Sequence, residues 1–153
     1  MPRRFPLQPL LDLAQSHADE AAKQLHALRV KWQQAEDKLQ ELTGYREDYR
    51  ARLLQATKRG LSVASWRDFQ LFLDKLESAI RQQREEVAHC KTRWESGQRE
   101  WLARQRKVKA FDTLAQRHVR SEERREAKKE QRDLDEFAAK IFERGQGEDG
   151  GDR

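Results

Sequence analysis

A single cysteine, Cys90, rules out an intrachain disulfide, and a reducing compartment is the default setting for such a chain. Proline occurs only at Pro2, Pro6 and Pro9, so nothing after Pro9 carries the residue that breaks helices. No apolar run approaches the roughly 18 residues that a membrane span needs. Arg3 and Arg4 precede no apolar core of the kind a secretory signal has. The alternating Val, Ile and Thr of half-buried strands is absent. His17, His26, His89 and His118 are too scattered to converge on a metal. The glycines of Gly145–Gly151 lack the Lys-Ser/Thr that completes a phosphate loop. No Ser or Cys has a recognisable base partner. The expectation is a soluble cytoplasmic protein, not an enzyme, with no cofactor and no metal.

What is present is charge and rhythm. The chain is 39% charged and 36% hydrophobic, which is poor material for a compact globule and good material for long helices with one buried stripe. Fifteen positions from Leu7 to Ala56 follow an unbroken 4-3 spacing, and only Arg46 among them is charged. A second fifteen run from Trp66 to Ala115 through Phe69, Leu73, Leu76, Ile80, Gln83, Val87, Cys90, Trp94, Gly97, Trp101 and Arg104. A mean spacing of 3.5 keeps one apolar seam facing one partner helix.

Two matched seams joined by a short connection predict an all-α fold: a long antiparallel two-helix coiled-coil hairpin. The single domain is expected over 1–142, with a first helix at about 6–57, a loop at about 58–65 and a longer second helix at about 66–142. A flexible Gly-rich tail is expected at 143–153. Gly60 suits the helix exit, where a left-handed backbone is wanted. Ser65 and Asp68 resemble a capping box for the second helix. Pairing Ala56 with Trp66 makes opposing residue numbers sum to 122. Large then meets small at most layers, with Trp101 opposite Ala21 and Val87 opposite Ala35.

The residues that break the seam carry the functional signal. Tyr45 and Phe72 are off-seam aromatics, and the register gathers them with Leu42, Tyr49, Leu76 and Ala79 near the loop. Such a patch marks a protein partner, against the plainer reading that it widens the local core. The stretch 116–144 holds nine Lys or Arg and eight Asp or Glu, then Leu134, Phe137, Ala138, Ile141 and Phe142 at helical spacing. That apolar set has no counterpart in the chain. Trp94 and Trp101 interleave with basic residues over 91–109, as in some nucleic-acid binders. Both fall on the seam, where they cannot stack on bases, so no nucleic-acid partner is expected.

The order of these residues resembles the FliJ family of flagellar type III export proteins. Phe5-Pro6-Leu7, Leu10-Leu11-Asp12-Leu13-Ala14, Gln34-Ala35-Glu36, Tyr45, Tyr49, Gly60, Trp66, Gln70, Phe72, Leu76-Glu77, Trp101 and Asp135-Glu136-Phe137-Ala138 carry the likeness. The resemblance implies a coiled coil similar to the central stalk of rotary ATPases. Its implied partners are the hexameric export ATPase FliI, the export gate protein FlhA and export chaperones, at the cytoplasmic side of the inner membrane. The gate surface would map to Leu42, Tyr45, Tyr49, Phe72, Leu76 and Ala79. Lys38 and Gln83 depart from the Gln and His expected at its edges. The ATPase ring would meet the end that bears both termini, represented by Phe5, Leu7, Leu11, Phe137 and Ile141. The alternatives are a generic coiled-coil scaffold or chaperone and a virulence-type secretion stalk.

Overall fold

The computed structural model describes residues 2–149. Two helices form it: α1, Gln8–Arg59, and the longer α2, Val63–Asp149, with no strand among the described residues. They pack antiparallel as a hairpin. The chain clusters into two compact units. One is His17–Gln105; the other joins Met1–Ser16 to Arg106–Arg153.

The heptad reading predicts burial residue by residue. Every position of the first stripe is buried or half-buried, and so is every position of the second except Trp66, which is 44% exposed. Trp66 stands in the first turn of α2, where the seam runs out of neighbours. The tightest seam positions are mostly small or central: Ala14, Ala18, Ala21, Ala35, Leu73, Leu76, Ile80 and Cys90. Among the described residues, Ile80 is the one large side chain that is fully enclosed. Two helices cover a seam without surrounding it, so most knobs keep one flank in water.

The polar seam residues are satisfied individually. Gln83 is buried, and its Nε2 donates to the Ala35 carbonyl across the seam at 2.9 Å. Arg46 reaches Glu77 on α2 at 3.5 Å while also pairing with Glu47. The indole N–H groups of Trp32 and Trp101 are buried without a partner, which costs free energy that their rings must offset by packing. Trp32 meets Trp94 at 5.3 Å between centroids, and the Arg29 guanidinium covers Trp32 at 4.3 Å. Gly97 permits a close approach: a Cβ there would meet Leu28 Cδ1 at 2.6 Å and Leu25 Cδ1 at 3.6 Å.

The helix ends correct the sequence-based boundaries. Gly60 adopts a φ of 91°, the left-handed exit expected of it. Helix α2 starts three residues before Trp66, because Ser62 and not Ser65 is its cap. The Ser65 N–H donates to Ser62 Oγ at 3.2 Å, and the Trp66 N–H donates to the Ser62 carbonyl at 3.0 Å. At the other end α2 continues past Phe142 to Asp149. Gly145 and Gly147 cost helix stability, about 1 kcal/mol each relative to Ala, without blocking a hydrogen bond as proline does. Positions 150–153 of the expected tail lie outside the described residues.

Candidate partner-binding surfaces

In the His17–Gln105 unit an aromatic cluster forms around Tyr49, a half-buried position of the first seam. Its ring contacts Phe72 at 4.4 Å and Phe69 at 5.2 Å, both tilted. Such pairs add about 0.5–1.5 kcal/mol beyond area burial. Phe69 was legible only as a seam residue, although it lies one turn before Phe72 and so shares its face. Tyr45 is 53% exposed and Phe72 is 47% exposed. The Tyr45 hydroxyl donates to Glu41 Oε1 at 2.6 Å. That hydrogen bond, which only the protonated phenol can donate, holds Tyr45 above its ordinary pKa, and the repulsion between a phenolate and the Glu41 carboxylate adds to it.

The six residues of the expected gate surface therefore differ in reach. Tyr45 and Phe72 present their rings to solvent. Leu42, Tyr49 and Ala79 are half-buried, and Leu76 is buried in the seam. Leu76 supports the patch from beneath and offers a partner almost no surface. Carboxylates rim it: Glu41, Glu47 and Glu77 all pair locally.

In the other unit the N-terminal residues are clasped to α2. The Arg3 N–H donates to Glu122 Oε2 at 3.3 Å, and His118 Nε2 lies 2.8 Å from the Arg3 carbonyl. The Phe5 ring tilts against His118 at 5.6 Å. Glu122 is buried and also accepts from Arg125 at 3.2 Å. Burial alone would raise its pKa; the Arg3 N–H, Arg125 and His118 outweigh that and hold it below the usual carboxylate value. This clasp was not visible in the sequence. His118 and Glu122 continue the 4-3 spacing beyond Ala115, but their polarity hid them.

The five residues expected to meet the ATPase ring fall into two groups. Phe5, Leu7 and Leu11 are half-buried. Phe137 and Ile141 are exposed, as are Leu134 and Phe142, and every described side chain from 127 to 147 is exposed. At about 100° per residue, Leu134 and Ile141 lie about 100–120° around the helix from buried Glu122. The terminal stripe is therefore a separate face, not the seam prolonged.

Cys90 is buried, and its thiol is pushed above its usual pKa by burial and by Glu86, whose Oε1 lies 3.5 Å from Sγ. Among the described residues no group of three or more His, Cys, Asp or Glu is placed to hold a metal, and no helix is long and apolar enough to cross a membrane.

The profile of the flagellar FliJ protein family matches residues 3–147. The flagellar FliJ protein of Salmonella typhi is 30% identical over 135 residues, covering 88% of this chain and 92% of that protein. The flagellar FliJ protein of Escherichia coli (strain K12) matches with the same identity and coverage.

Proposed function

Because the chain belongs to the flagellar FliJ protein family, and that membership supports a role in flagellar protein export, we propose that it acts as a non-enzymatic stalk of the export machinery. It promotes assembly and activity of the hexameric export ATPase FliI, couples that ring to the export gate FlhA, and helps cycle export chaperones. The observation that carries this reading is the match over residues 3–147, which takes in both helices almost entirely.

The geometry supports a division of labour. The exposed ring of Phe72, stacked on Tyr49, and the exposed ring of Tyr45 are the gate-binding side chains, with Leu42 and Ala79 as the half-buried members of the surface. Phe137 and Ile141, exposed on α2, are the ring-binding side chains. Phe5, Leu7 and Leu11 serve that end by packing, since they are half-buried. The protein works at the cytoplasmic face of the inner membrane as a peripheral component.

Two measurements test the reading. Titration of purified protein into the export ATPase raises its hydrolysis rate and its hexamer fraction. Replacing Tyr45 and Phe72 by Ala weakens binding to the purified gate protein and leaves helicity intact. An unchanged ATPase across the titration sinks the stalk assignment. A collapse of thermal stability in the double variant shows instead that the two rings serve local packing.

A further inference from the structure

Acidic residues are spread densely along this chain, yet none occurs from Tyr49 to Arg67, the longest such run in the sequence. That run is the hairpin reversal of the His17–Gln105 unit: the last turns of α1, the Gly60–Ser62 connection and the first turn of α2. Because the chain doubles back there, both helix ends at the reversal lack carboxylates. Arg52, Lys58, Arg59 and Arg67 are exposed, and none is in an ion pair with a described residue. Lys58 and Arg59 also sit at the negative end of the α1 dipole.

Apolar side chains stand out among these cations. Leu54 is 58% exposed, Val63 70% and Trp66 44%. The reversal is tied at both helix ends: the Gly60 N–H donates to the Thr57 carbonyl at 3.3 Å, and Ser62 caps α2.

We propose that this tip is a membrane-contact site that binds the surface of an anionic phospholipid bilayer. It rests on the reading above, in which the protein works at the inner membrane. Lys and Arg stems reach phosphate headgroups, while Trp66, Val63 and Leu54 settle at the headgroup–acyl boundary. A lipid surface fits better than an acidic protein surface for two reasons. The apolar residues stand on both helices of a chain reversal, and Leu54 borders a shallow, open hollow on α1 that Val63 and Trp66 do not line. The charge is of one sign on both helix ends, as suits a surface that is negative in every direction. The Tyr45–Phe72 patch differs in charge, since its rim carries Glu41, Glu47 and Glu77.

The test is co-sedimentation of the full chain with phosphatidylglycerol–phosphatidylcholine vesicles and with phosphatidylcholine vesicles alone. Binding to the anionic vesicles that weakens with salt is expected, with little to the neutral ones. Each cation neutralised at the tip costs about fivefold in partitioning. Arg52→Gln, Lys58→Gln and Arg59→Gln together thus lose on the order of a hundredfold. The matched control, Arg84→Gln, Lys91→Gln and Arg99→Gln, removes the same charge from exposed sites on α2 and loses far less. Trp66→Ser weakens anionic-vesicle binding further in the parent background. Equal losses in both triple variants, equal binding to neutral vesicles, or no vesicle binding overturn the proposal. So does a tip variant that keeps vesicle binding but loses the purified gate protein, which makes the occupant an acidic protein surface. ATPase stimulation measured without lipid separates the readings. If it persists while vesicle binding is absent, the lipid site alone fails. If it is absent while vesicle binding persists, the stalk role alone fails.

Discussion

Two stretches of one helix behave in opposite ways. Around Ile80, α2 alternates buried and exposed residues on the heptad, with Leu73, Leu76, Ile80, Gln83 and Cys90 all below a tenth exposed. From 127 to 147 it exposes every side chain, including Leu134, Phe137, Ile141 and Phe142. Both stretches are charged, helical and free of proline. The difference is the presence of α1. Apolar residues at helical spacing make a core only where a partner helix supplies the holes; elsewhere the same spacing makes a surface.

The largest test of that contrast is an isoleucine truncated in each stretch. Ile80→Ala is expected to lose about 2–5 kcal/mol, seen as a lower thermal midpoint by circular dichroism. Ile141→Ala should stay within about 0.5 kcal/mol of the parent. Equal losses would mean that the terminal stripe is packed in solution, and the contrast would collapse.

Glycines sharpen the same point at smaller scale. Gly97→Leu drives a side chain into Leu28 and Leu25 and should cost about 1–3 kcal/mol in chemical denaturation. Gly44 has nothing within 4 Å of a built Cβ, so Gly44→Ala should stabilise by about 1 kcal/mol through helix propensity.

Much of this was legible in the sequence, for a physical reason. A two-helix seam is a local periodic pattern, and the 4-3 spacing names its own buried positions. The register came from pairing the stripe ends Ala56 and Trp66; a Cβ at Gly97 would touch its expected opposite Leu25 at 3.6 Å but Leu28 more closely at 2.6 Å, and Trp32, set against Cys90 by the sum of 122, also meets Trp94. What the pattern hid were its polar continuations. His118 and Glu122 hold the spacing but not the hydrophobicity, so the clasp on Arg3 emerged only from the structure. The α2 cap was misplaced because Ser62 and Ser65 both precede helix-compatible residues, and only the hydrogen bonds distinguish them. Among the expected site residues, the seam did separate exposed Phe72 from buried Leu76; what it did not show is that Leu76, grouped with the patch, has almost no surface to offer a partner.

The smallest expected effect lies in the clasp. Glu122 has its folded pKa lowered, so its contribution is present above the ordinary glutamate value of about 4.3 and fades as pH falls through the lowered one. Nuclear magnetic resonance contacts between Phe5 and His118 should weaken there before those between Trp32 and Trp94. Simultaneous loss would mean that the clasp has no separate titration.

The central claim is that seam residues build the protein and exposed off-seam residues do its work. It is tested most directly by the export ATPase rate with parent protein and with the Phe137→Ala, Ile141→Ala variant, helicity and melting being matched. The expected result is strong stimulation by the parent and its loss in the variant. Equal stimulation by both would contradict the claim that the exposed end of α2 engages the ring.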